Sequence, residues 1–501
     1  MKIDLRRLAL SILFVCLSLL IFNIHNSAQT LDTVTFTGRV ADPNNAPVAG
    51  ATVTATQIER NIERTATTDE DGRYRIVELP PGVYKISAVQ AGFGTQEKID
   101  LTTIAGQNVQ LDFSLAPAGV SAEQIVTLEG EDAPVVDTTR TVVGGTVTQR
   151  EIEELPNISR NPLDLVFTLG GVTEEPLSTR DLSSDRGQRG INAPGSTPEE
   201  AGTFALSGGA AYSNNITVDG LDNNDDRTAG FRFQPSLDAI AEVQVITNQF
   251  SSEYGRASGG RVNIRTSGGS NRFRGRAYMF FRDDNLNANT WNNNRRGIAR
   301  APFTNYNPGF TLSGPIVKNK LFFFTSYEYD KIQEDTIIDV YVPLNNTSNF
   351  QLPAPTSPER AVVSNTGTNS ILVAPYVAFT DTPSNKHIFS GRADWNLNQA
   401  NNFTFSYQLG RSNDLRQFSG TNRLADALIG RVRNTDAFNA THNYVGNSKL
   451  VNQLRFQYSR LRPNSTPSAG ADAPVILIAG FTPPNETSTA TQIYSASTSG
   501  S

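Results

Sequence analysis

The sequence predicts a mainly β protein: an N-terminal Ig-like β-sandwich, a mixed α+β segment, and the first strands of an antiparallel transmembrane β-barrel. Three observations predict it. The 501 residues are 38% hydrophobic and hold 39 glycines but only two methionines, a mixture poor in helix formers and rich in strand and turn residues. Apolar and polar residues alternate with a period of two through many short runs. In the second half the connections between such runs are alternately long and short, as in an outer-membrane barrel. The 43 basic and 49 acidic residues leave a formal charge of −6, too mild to argue for a polyanionic partner such as nucleic acid.

The first 28 residues read as an address. Lys2, Arg6 and Arg7 precede an apolar run from Leu8 to Phe22, and Asn26-Ser27-Ala28 follows. This is the layout of a secretory signal peptide, with cleavage expected between Ala28 and Gln29. The run is short for a bilayer span. Cys16, the only cysteine, lies inside it behind the bulky Val15, which argues against a lipoprotein site. The mature chain would then hold neither a disulfide nor a cysteine metal site.

Residues 33–117 carry the sandwich. Strand-like runs stand at TVTFTGRV, GATVTATQ, RTATT, RYRIVEL, VYKISAVQAGF and VQLDFSL. From Ala51 to Ala55 apolar and hydroxyl side chains alternate, as a half-buried strand requires. Asp71-Gly72 and Pro80-Pro81-Gly82 supply turn chemistry between the runs. About seven short strands in so few residues fit an Ig-like sandwich. The string GRVADPNNAPVAGATVTAT…TTDEDGRYRIVELPPGVYKISAVQAGF closely resembles the carboxypeptidase regulatory-like domain. The module contains no histidine, so no zinc peptidase site can be built in it. A spacer or docking role is expected.

The barrel assignment, residues 269–501, rests on spacing. Residues 254–282 hold seven arginines, six glycines and no acid, a composition that also suits a flexible nucleic-acid binder. Yet Phe273, Gly275, Ala277, Met279 and Phe281 alternate with Arg272, Arg274, Arg276, Tyr278, Phe280 and Arg282. A flexible segment has no reason to segregate its residues so. A transmembrane strand does, with one face to lipid and the other to a polar lumen. Strands are expected at 272–282, 306–316, 321–330, 388–397, 402–410, 436–445 and 450–461. Their short connections are 317–320, 398–401 and 446–449. A long outer loop at 283–305 follows the first upward crossing.

Between the sandwich and the barrel, the strings VTQREIEELPNISRNPLDLVFTLGGV, NNITVDGLDNNDD and LDAIAEVQVITNQFSSEYGRASGGRVNIRTSGG resemble the plug of TonB-dependent outer-membrane transporters, assigned to 143–268. FRGRAYMFFRDDNLNANTW and GFTLSGPIVKNKLFFFTSYEYDK are similar to the Oar-like branch, which carries a regulatory-like domain ahead of the plug. Short helices are expected at 150–155, 161–169 and 237–241, the last leading into a strand at 242–247. The linker 118–142 contains Glu123-Gln124-Ile125-Val126-Thr127, which resembles a TonB box and is equally readable as an ordinary linker strand. The resemblance implies energised uptake of a bulky solute. The partners it implies are TonB through that box, outer-membrane lipid and the barrel assembly machinery. The implied location is the outer membrane of a Gram-negative-type bacterium.

Asp219, Asp222, Asp225 and Asp226 lack the spacing of a calcium loop and read as a solvated turn. Gly255, Gly259 and Gly260 fit no phosphate loop and read as turns or sites of close backbone approach. No enzyme site is expected. His387 and His442 stand alone on separate strands, and no nucleophile elbow or Walker motif occurs. No cofactor and no metal are implied. Transporters of this class have about 22 strands against the seven counted, and the sequence ends in SASTSGS without an aromatic-ended strand. A fragment of a longer protein is therefore expected. The alternative is a secreted or surface-attached adhesin, or carbohydrate-binding protein, using the Ig-like module. The ligand is not legible.

Overall fold

The computed structural model describes residues 32–117, 124–127, 143–157, 160–174, 204–209, 213–225, 231–248, 255, 257–344, 352–366, 369–416, 424–425, 428–447, 450–467, 475–481 and 490–495. The expected signal peptide with its Ala28–Gln29 junction, and Glu123, lie outside them.

The first module is a sandwich of two sheets. Strands β1 (Val34–Ala41), β4 (Arg73–Leu79), β7 (Asn108–Gln110) and β8 (Phe113–Ser114) form one sheet. Strands β2 (Thr52–Gln57), β3 (Ile62–Thr67), β5 (Val83–Val89) and β6 (Gln96–Thr102) form the other. A further strand, β9 (Gln124–Thr127), adds to the edge of the second sheet, parallel to β6. The alternation read at Ala51–Ala55 is real: Ala51, Val53 and Ala55 are fully buried against Phe36, Ile76, Tyr84 and Ile86. Phe36 and Tyr84 meet edge-on with centroids 5.5 Å apart. Tyr74 spans the core and donates to the Leu111 carbonyl at 2.6 Å. Burial pushes both phenols, Tyr74 and Tyr84, well above their ordinary value. Gly38 is obligatory by approach, since a β-carbon there would lie 1.9 Å from the Leu111 oxygen. Sequence reasoning missed β6, because Gln96-Glu97-Lys98 at its start puts polar side chains on both faces.

The second module is built on β10 (Val143–Thr148), β13 (Asn214–Val218), β14 (Leu221–Asp222), β15 (Ile240–Asn248) and β16 (Gly260–Thr266), in the order β10-β15-β16-β13-β14. A separate pair, β11 (Val172–Glu174) with β12 (Phe204–Leu206), stands beside it. Helix α1 (Gln149–Glu154) opens on a capping box: Thr148 accepts from the Glu151 amide, and Glu151 reaches back to the Thr148 amide at 2.7 Å. The expected helix at 161–169 is a 3₁₀ helix, Pro162–Thr168, capped by Asn161. The third shrinks to Leu237–Ala239, and β15 starts two residues early. Gly259 and Gly260 are sites of close approach, where a β-carbon would press on Leu206 and Ile246.

All seven expected barrel strands are present and antiparallel: β17 (Arg274–Asp283), β18 (Phe303–Val317), β19 (Leu321–Pro343), β22 (Ser384–Asn396), β23 (Asn401–Arg416), β24 (Ile429–Asn447) and β25 (Leu450–Pro467). Two further strands correct the expected long loop at 331–387. β19 runs on to Pro343, and its upper half leaves β22 to pair with β21 (Asn369–Asp381), which also pairs with β20 (Val362–Thr366). Ile338, Val340, Val342, Val373 and Leu424 close a small core there. The outer loop after β17 holds a helix, α2 (Trp291–Arg296). Among the described residues, strands β26 (Val475–Phe481) and β27 (Ala490–Ser495) pair only with each other.

Candidate functional site

The wall strands sort their side chains by face. Met279 (61% exposed), Phe281, Phe405, Tyr407, Phe438, Phe456 and Tyr458 stand on the outer face, whereas Ser406, Gln408, Asp394 and Glu328 are buried on the inner one. The inner face meets the second module through three groups of ion pairs.

The first group centres on Arg160. Its guanidinium holds Asp238 of its own module and Glu328 of β19, the latter at 2.7 Å. It lies over the Phe280 ring at 4.1 Å. Tyr278 donates to Glu328 at 2.8 Å, and Arg276 reaches Asp238 at 3.0 Å. The cationic face read on β17 is thus an inner face, answered by acids inside.

The second group sits on a two-residue turn. Asp219 and Gly220 both take positive φ between β13 and β14, the geometry an Asp-Gly hairpin turn favours. Asp219 accepts from the Thr266 amide at 2.9 Å and pairs with Arg392 of β22 at 3.1 Å. Arg392 also holds Asp394 at 3.0 Å, and Thr404 donates to the same carboxylate. In the third group Asp225 pairs with Arg433 of β24, while Arg232 holds Asp222 and donates to Ser459 of β25. Asp219, Asp222 and Asp225 are therefore not simply a solvated turn as expected: arginines distant in sequence neutralise Asp219 and Asp225, and the nearby Arg232 pairs with the partly exposed Asp222. Asp226 lies outside the described residues.

The sandwich reaches the same place from the short-turn end of the wall. Between β2 and β3, Arg60 donates to the Gly269 carbonyl at 2.9 Å, pairs with Asp394 at 3.0 Å and covers the Phe322 ring. Beside it Glu59 pairs with Arg274, and its carbonyl accepts from the Asn271 amide. Asp32 ties Asn263 to Arg455 of β25. Burial lowers the Arg64 guanidinium below its ordinary value, with Tyr84 and Glu78 opposing.

Of the candidate TonB-box residues, Gln124, Ile125, Val126 and Thr127 form β9, in register with Gln96, Glu97, Lys98 and Ile99. Glu123, Ala28 and Gln29, the other predicted site residues, lie outside the described residues. His387 is bound to Tyr327 and stacked on Tyr329, and His442 is stacked on Phe403. A cavity of about 690 Å³ opens between the second module and the wall, lined by Leu155, Arg160, Asp164, Arg282, Asn307 and Lys386 among others.

A strand wall with an apolar exterior and a charged interior is the arrangement that membrane β-barrels use. Residues 265–501 match the outer membrane beta barrel domain, and residues 35–116 match the carboxypeptidase regulatory-like domain. The chain is a homologue of the TonB-dependent transporter Oar of Myxococcus xanthus, 29% identical over 315 residues, which cover 61% of this chain and 27% of the relative. It thus spans about a quarter of the length of that relative. Among solved structures, the outer membrane transporter YddB from Escherichia coli aligns with 71% of this chain and 43% of its own, at 12% identity and a TM-score of 0.44. A mutant of the ferric enterobactin receptor PfeA from Pseudomonas aeruginosa aligns with 70% and 44%, at 15% identity and a TM-score of 0.41.

Proposed function

We propose that this chain supplies the sandwich, the plug (143–268) and part of the wall of a TonB-dependent outer-membrane receptor that takes up a bulky solute. The observation that carries the reading is the charge matching at the inner face. Arg160, Asp219, Asp225 and Arg232 of the second module each meet a complementary side chain on a different wall strand. Such a module is a stopper held in a lumen. The outer edges of β17 and β25 carry no partner strand among the described residues, and unpaired backbone is not tolerated in lipid. Further strands would close the wall.

In this reading residues 1–28 direct export, the barrel assembly machinery inserts the wall, and TonB captures Glu123–Thr127 by strand addition. The cavity beside Arg160 is where a solute would first touch the plug. Its mixed lining of cations, acids, amides and apolar groups favours no single solute class. The test is fractionation of the full-length protein. Integral outer-membrane behaviour, with a heat-modifiable barrel, is expected; recovery as a soluble secreted species would return the adhesin reading.

A further inference from the structure

Three modules meet on one carboxylate. Asp394 of the wall takes Arg60 from the sandwich and Arg392 from its own strand, and Arg392 in turn holds Asp219 at the tip of the plug turn. The side chains are all at most 15% exposed. The cluster balances, two guanidinium groups against two carboxylates, and it balances only while Arg60 is seated. With Arg60 gone, a single Arg392 must serve both Asp219 and Asp394 in a poorly solvated site. An uncompensated buried charge is costly, and the carboxylate left sharing Arg392 is that of the plug turn. The same sandwich turn also grips the chain where the plug passes into the wall, through Gly269, Asn271 and Arg274.

We propose that the sandwich is a clamp on the plug, with Arg60 as its pin, so that undocking the sandwich loosens the Asp219 turn, which Arg60 does not contact. This rests on the reading of 143–268 as a plug. β9, which holds most of the candidate TonB box, is paired to the sandwich edge. A pull on that segment would therefore reach the sandwich before the plug, and withdrawal of Arg60 would be the step that unlocks it.

The experiment is hydrogen exchange on the purified full-length protein, read in peptides covering 214–222 and 260–266. Arg60→Ala should speed exchange there by about ten-fold, within the range that coupled neighbours show, while β5 of the sandwich stays protected. Arg60→Lys, which keeps the charge, and Glu59→Ala, which removes only an exposed pair, should stay near the parent. The decisive variant is Arg60→Ala combined with Asp394→Asn: it restores one cation against one anion and should slow exchange again. Unchanged exchange in Arg60→Ala, or a double variant no slower than the single one, overturns the clamp. Neither TonB nor a solute enters the measurement, so such a failure leaves the transporter reading standing. A rescued exchange in a protein that fractionates as soluble overturns that reading instead.

Discussion

Arg160 is held in the left-handed region at φ +53°, a cost that a non-glycine residue bears only when its surroundings fix it. Two carboxylates and two rings fix it here. Arg160→Ala leaves Asp238 and Glu328 short of a buried partner, and about 3–5 kcal/mol of docking between the second module and the wall should be lost. Denaturant titration of the intact protein checks this. Arg160→Lys should recover only part, since a point charge cannot fork between two acids. Tyr74 and Tyr84 give a pH dependence of known sign. Their folded values lie above the ordinary 10.0, so the stability they confer is complete below about pH 10 and is lost as pH rises beyond it. The tyrosinate absorbance that is lost in Tyr74→Phe and Tyr84→Phe variants should appear together with unfolding of the sandwich; ionisation of these two phenols in a folded sandwich would contradict the burial. At this scale the sequence was least legible. Asp219 and Arg392 stand far apart in the chain, and nothing local to the aspartates announces the partner that neutralises them.

Elements were easier to read. Alternation marked the wall strands at 272–282, 388–397, 402–410 and 450–461, because an apolar outer face and a polar inner one leave no latitude in register; the long-and-short spacing of the connections went with the other three. What alternation could not place was where a strand stops. β19 was expected to end near Asp330, but beyond that point it finds β21 and a core of its own, so the pairing continues. β6 escaped for the opposite reason, polar residues on both faces at its start. Two outcomes belong here. Phe405→Lys puts a charge on the outer face of β23 and should cost about 2–4 kcal/mol if it lies near the bilayer midplane, seen as a smaller heat-modifiable fraction. Ile125→Pro removes a backbone donor from β9 and should abolish capture of the purified periplasmic domain of TonB; undiminished capture would show that residues 124–127 are a linker strand only.

On the scale of the whole molecule, turn chemistry and periodicity pointed to the sandwich and the wall, and resemblance alone to the module between them; their mutual seating was not legible. The sandwich read as a spacer or docking domain; its β2–β3 turn is in fact built into the wall's short-turn end. The wall itself keeps two open edges among the described residues. Residues 29–501 expressed without further strands should accordingly self-associate through β17 or β25, and size-exclusion chromatography in detergent would show it. A monodisperse monomer would mean that other residues cover those edges.

The reach of β19 has a consequence of another kind. Its 23 residues extend about 75 Å at the usual rise, or roughly 55 Å along the membrane normal at a tilt of about 45°, against an apolar band of about 25 Å. In the proposed receptor half the strand would stand clear of the membrane, braced by β21 and its own small core. Antibodies, phage tails and rival cells would then meet that collar before they met anything inside it.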